Sequence, residues 1–148
     1  YPESTGNLHY TGGSFGGGLG AMALAWDHRF TRGSLGVPSF GNHPLRVTLE
    51  CVGSGAAIRA LYRRDPSIMD VLNYFDAASC ARHVEMPTLV AAALFDPAVP
   101  PPGQFAVYNA LECEKRLIEL TAGHWEYPTR AAEDAAVFKQ QCKWFGWV

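Results

Sequence analysis

Apolar and polar positions along this chain fall into two kinds of block, short runs of strand type and longer runs of helix type. Leu8 to Thr11 reads as a short strand, and Gly17 to Trp26, rich in Ala, Leu and Met, as a helix. Ser34 to Pro38 ("SLGVP") reads as a second strand, weakened by its glycine. From Asn42 to Arg82 the pattern is mixed and predicts several short helices over "AAIRALYRR", "SIMDVLNYF" and "DAASCARHV", the last capped by Asp76. Pro87 to Phe95 ("PTLVAAALF") is a near-continuous apolar run, as expected of a strand covered on both faces. "PPGQFAVYNAL" follows as a helix with prolines at its entry. "KRLIELTA" makes a fourth strand, and Thr129 to Trp147 a long closing helix with an apolar stripe.

Strands alternating with helices in this order predict an α/β fold, a mostly parallel sheet of about four strands with helices on both faces. Sites in such sheets form beyond the carboxyl ends of the strands. Ser14, Asp96 and His124 each fall just past a predicted strand.

Composition narrows the function classes. The 148 residues suffice for one domain. Hydrophobic content is 48% and charged content 18%, an ordinary globular balance. A formal charge of −2 gives no footprint for nucleic acid or for an anionic membrane. The five histidines are scattered, with no metal-type spacing to one another or to cysteine. Cys51, Cys80, Cys113 and Cys142 lie far apart without C-x-x-C, which favours reduced thiols. No apolar run approaches the roughly 18 residues of a membrane span.

One stretch demands a specific reason. "LHYTGGSFGGGLGAMALAW" places six glycines between Gly12 and Gly20 around Ser14, where each lowers helix or strand stability. A phosphate loop is excluded in detail, because no Lys follows the glycines. The dinucleotide pattern survives only as Gly16-x-Gly18-x-x-Ala21, and Pro38 and Ser39 stand where its acidic residue belongs. Gly12-Gly13-Ser14-Phe15-Gly16 fits G-x-S-x-G instead, a strained strand-to-helix turn that projects a serine hydroxyl. The partners of such a serine follow in the order acid, then histidine. "LFDPAVPP" supplies Asp96 and "TAGHWEYP" supplies His124. Taken singly, Ser14 suits a packing turn, Asp96 an Asp-Pro cap and His124 a hydrogen-bonded histidine. Their joint order after successive strands points to a nucleophile, an orienting acid and a base.

These residues carry a family likeness. "TGGSFGGGLGAMALAWDHRF" resembles the nucleophile turn and following helix of the acetyl xylan esterase/cephalosporin C deacetylase family of α/β hydrolases. "VLNYFDAASCARHVEMPTLVAAALFDPAVPPPGQFAVYNAL" is similar to that family's YFDA-to-PP block, and "AGHWEYP" to its histidine–glutamate segment. The resemblance runs from about Leu8 to Trp147. It implies Ser14 as nucleophile, Asp96 as acid, His124 as base and the Phe15 backbone N–H as an oxyanion donor. It further implies acetylated carbohydrates or related small esters as substrates and no metal or organic cofactor. A bacterial cytoplasmic setting and homo-oligomers are also implied.

Two departures stand out. Phe15 replaces the family's Gln, and Trp125 separates His124 from Glu126 where the family has His-Glu, which makes Glu126 a surface residue. The resemblance also implies that residues 1–148 are the C-terminal part of an α/β-hydrolase domain, without the N-terminal strands and second oxyanion donor. The elbow strand is then expected at an open sheet edge, and the chain by itself is expected to be a poor catalyst, a fragment, one half completed by another chain, or a non-catalytic remnant. Other α/β hydrolases, dienelactone-hydrolase-like enzymes and serine peptidases among them, share the constellation.

Overall fold

A computed structural model describes residues 6–147. Four strands, β1 (Leu8–Gly13), β2 (Phe30–Gly36), β3 (Thr88–Phe95) and β4 (Lys115–Ala122), form one parallel sheet in the order β1-β2-β3-β4. Seven helices connect and close it: α1 (Phe15–Leu24), α2 (His43–Arg46), α3 (Ser54–Arg64), α4 (Ile68–Leu72), α5 (Ala77–Ala81), α6 (Pro101–Ala110) and α7 (Arg130–Phe145). The expected α/β architecture is therefore present, with helices on both faces.

The reason lies in β3. Thr88 to Ala93 are all buried, and successive side chains point to opposite faces of a strand. Val90 and Ala92 join Leu24, Leu35, Ala77, Ala81, Val107 and Leu111 beneath α1, α5 and α6. Leu89 turns the other way, against Trp144 and Phe145 of α7. Fully burying a leucine contributes about 1.5–3 kcal/mol, and Leu24, Leu35 and Leu89 have no exposed surface. The Trp144 indole N–H donates to the Gly33 carbonyl at 3.0 Å, fixing the end of α7 beneath β2.

Several boundaries differ from the pattern-based expectation. β1 runs on through Gly12 and Gly13, because both pair with β2. β2 starts at Phe30 rather than Ser34; its first half pairs with β1, while Thr31 is exposed and Arg32 half-buried, so no apolar run marks it. α1 begins at Phe15, directly after the serine, and ends two residues before Trp26. α2 escaped the pattern, since it is a single turn entered through a proline and capped by Asn42, whose side chain accepts from the Leu45 N–H at 3.2 Å. Asp76 does cap α5: its Oδ1 accepts from the Ala78 and Ser79 N–H groups, both at 2.9 Å. Among the described residues β1 pairs on one side only, with β2, and so stands at the sheet edge.

Candidate active site

Three strand ends build the site. After β1 the chain reverses at Ser14, whose φ of 54° and ψ of −115° lie in a region that non-glycine residues rarely occupy. The turn is tied down by its own backbone. The Ser14 N–H donates to the Gly36 carbonyl at 2.8 Å, and the Ser14 carbonyl accepts from the Gly18 and Ser39 N–H groups, both at 3.1 Å. A side chain at position 12 would place its Cβ 2.7 Å from the Gly16 carbonyl oxygen, so only glycine lets strand and helix approach this closely. The Tyr10 hydroxyl donates to the same carbonyl at 2.6 Å. The Phe15 N–H is the first of α1, where helix geometry provides no internal acceptor.

Beyond β3, Asp96 is buried and fully committed. Its Oδ1 accepts from the Ala98 and Val99 N–H groups at 2.9 Å, and its Oδ2 from the Gln104 side-chain amide at 3.1 Å. Gln104, itself buried, also donates to the Val99 carbonyl at 2.7 Å and accepts from the Ala93 N–H at 2.8 Å. This amide holds the acid loop to β3, a role the sequence reading missed. Its one visible signal was a polar residue sharing a helix face with Val107 and Leu111.

Beyond β4, Gly123 and His124 bring an imidazole across. A Cβ at 123 would collide with Asp96 Oδ2, so a glycine is what allows the carboxylate to sit beneath the imidazole. His124 Nδ1 lies 2.8 Å from Asp96 Oδ2, and Nε2 lies 2.8 Å from Ser14 Oγ. The three predicted side chains, 28 and 110 residues apart in the chain, thus form one hydrogen-bonded series.

The histidine loop has a second fastening. Glu133, on the first turn of α7, accepts from the Thr121 N–H at 2.9 Å and the Thr121 hydroxyl at 2.7 Å, before the loop. It also accepts from the Tyr127 and Thr129 hydroxyls, both at 2.9 Å, after the loop. These donors, led by the Thr121 hydroxyl, pull the carboxyl down to about 2. Sequence reasoning missed Glu133 because its partners lie on both sides of a loop it does not belong to. Glu126 is exposed and pairs with Arg130 four residues on, as expected of a surface residue.

Two aromatic residues flank the series. Phe15 is 60% exposed and meets Phe40 edge-on at 5.1 Å. Trp125 is 56% exposed and meets Phe95 edge-on at 6.0 Å. Of the remaining histidines, His43 is buried, and burial holds its pKa below the usual value. The four thiols are free. Among the described residues no cluster of His, Cys, Asp or Glu has the makings of a metal site.

A parallel sheet with a serine on a left-handed turn before a helix, and an acid and a histidine delivered by the next strand ends, defines the α/β-hydrolase class. Within that class the chain belongs to the acetyl xylan esterase (AXE1) family, whose model matches residues 5–145. It is similar to the acetyl xylan esterase from Paenibacillus sp. R4, with 28% identity and a TM-score of 0.75 over 89% of this chain and 44% of that one. Acetyl xylan esterase 1 from Thermoanaerobacterium sp. JW/SL YS485 is 23% identical, with a TM-score of 0.74 over 93% of this chain and 46% of that one. An acylaminoacyl peptidase from Pyrococcus horikoshii shares the fold at 16% identity and a TM-score of 0.74, over 95% of this chain and 24% of that one. The chain thus spans less than half the length of the two esterases.

Proposed function

We propose that this chain carries the nucleophile, acid and base of a serine esterase that removes acetyl groups from acetylated carbohydrates or related small esters. The observation that carries this reading is the continuous series Ser14 Oγ, His124 Nε2, His124 Nδ1, Asp96 Oδ2, with both links at 2.8 Å.

In this mechanism His124 Nε2 takes the Ser14 proton as Oγ attacks the ester carbonyl. Asp96 accepts from the Nδ1 proton, which fixes the tautomer with a bare Nε2 and stabilises the imidazolium as it forms. The Ala98 and Val99 N–H groups and the Gln104 amide keep that carboxylate oriented. The Phe15 N–H, at the positive end of α1, meets the developing oxyanion. The imidazolium then protonates the leaving alcohol, and water repeats the sequence on the acyl-serine.

On this reading a second oxyanion donor, and a neighbour for the open edge of β1, come from a segment of the whole protein outside the described residues. One missing donor costs about 2.7–4 kcal/mol of transition-state stabilisation, so slow turnover is expected from the 148-residue chain without that segment. Labelling by a fluorophosphonate, which needs an activated serine but no second step with water and so accumulates even when slow, is the decisive test. Covalent modification at Ser14, absent in Ser14→Ala, is expected. A folded sample left unlabelled overturns the esterase reading and favours a non-catalytic hydrolase-like module.

A further inference from the structure

The two flanks of Ser14 offer different chemistry. On the Phe15 side, Phe40, which Phe15 meets edge-on, is one wall of an apolar depression of about 250 Å³ lined also by Leu19, Met22, Ile58 and Leu72. Beside the imidazole lies a depression of about 360 Å³ lined by His124, Trp125, Glu126 and Arg130. The second is of the size that holds small ligands, for which about 300–1,000 Å³ is usual.

Mechanism decides which half of an ester goes where. The leaving oxygen must collect its proton from His124 Nε2, so the alcohol half has to lie on the imidazole flank. That flank presents an indole more than half exposed, steadied edge-on by Phe95, with the Glu126–Arg130 ion pair at its rim. Large aromatic side chains are usually mostly buried, and an exposed, braced indole is a flat apolar platform. A pyranose ring is complementary to this arrangement: its C–H faces are apolar and flat, and its hydroxyls project at the ring edge, where a carboxylate can accept and a guanidinium donate. A simple aliphatic alcohol would leave that polar rim unused.

We infer that Trp125, with Glu126 and Arg130 at its edge, forms the subsite that holds the sugar half of the ester against His124. This rests on the esterase reading above, but it is tested without turnover. The 148-residue chain bearing Ser14→Ala is titrated with xylobiose while the tryptophan indole N–H resonances are followed by NMR; Trp125→Phe assigns the relevant peak. The Trp125 resonance is expected to move saturably. Affinity should fall about tenfold in Trp125→Ala, less than about threefold in Trp125→Phe, and measurably in Glu126→Gln.

Position 125 is exposed, so unchanged resonances from the other three tryptophans will verify folding of each variant. No movement of the Trp125 peak, or equal affinity in Trp125→Ala, overturns the subsite. Fluorophosphonate labelling of the Ser14 protein separates the two claims. A labelled serine without sugar binding sinks the subsite and leaves the esterase. Sugar binding at Trp125 with an unlabelled serine leaves a sugar-binding surface but sinks the esterase, and with it the alcohol-subsite role.

Discussion

The serine end and the histidine end of the Ser14–His124 hydrogen bond are held by different physics. Ser14 is placed by backbone: a strand, a reversed turn and a helix packed so closely that position 12 has no room for a side chain. His124 is exposed on a connection between β4 and α7, placed by its side-chain hydrogen bond to Asp96 below and by Glu133 fastening both ends of its loop. The difference teaches where each end is vulnerable. Packed backbone resists pH and fails to added volume, whereas a loop held by hydrogen bonds to carboxylates fails to changes of charge.

Asp96→Asn strikes the histidine end hardest. The Ala98 and Val99 N–H groups will claim the asparagine oxygen, turning its NH₂ toward His124 and Gln104. To accept from it, the imidazole must move its proton to Nε2 and can no longer take one from Ser14. The rate of serine labelling should fall on the order of 10⁴-fold, with the fold retained. A loss under about tenfold would mean that Asp96 is a loop cap and no more.

Gly12→Ala strikes the serine end. The new methyl meets the Gly16 carbonyl, so the first turn of α1 must shift, at about 1–3 kcal/mol by urea denaturation. A displacement near 1 Å should slow labelling about 100-fold. Unchanged stability and labelling would show that backbone contact does not set the serine's position.

Glu133→Gln tests the fastening. Glu133 titrates at about 2 in the folded protein against 4.5 for an ordinary glutamate. Its folded pKa is depressed, so its stabilising contribution is complete above pH 4.5 and is lost as pH falls from there toward 2. The parent's urea midpoint should drop through that window, and Glu133→Gln should flatten the drop while starting lower at neutral pH. Parallel pH profiles for the two proteins would refute the role.

Tyr74→Ala supplies the smallest effect and a control. The segment from α3 to α4 buries only Gly55 in its helices, and Tyr74 beyond it is 83% exposed. Stability should change by no more than about 0.5 kcal/mol, with labelling unaltered. A larger change would reveal a structural role for this outlying segment.

The sequence is legible wherever burial and periodicity agree. β3 can be read because both of its faces are covered, and α6 because prolines mark its entry. β2 is half hidden, since its opening residues satisfy hydrogen bonds without burying side chains. Ser14, Asp96 and His124 can be read because strand ends and motif order constrain them together. Gln104 and Glu133 cannot, because what gives each its role is a bond back to a strand, to Ala93 and to Thr121, that forms only when helix and sheet pack. The local sequence around them says helix, and helix is what forms.

Backbone torsion at the sheet's upper rim carries one more consequence. Ser14, Val37 and His124 all have positive φ, at 54°, 38° and 47°, on the tips of β1, β2 and β4. Non-glycine residues so placed cost on the order of 1–3 kcal/mol each, and the remainder of the sheet must hold them there. Reactivity and durability are therefore opposed in this molecule: Ser14→Gly, which gives up the hydroxyl and relaxes the tightest tip, should yield an inert protein that melts at a higher temperature than its parent.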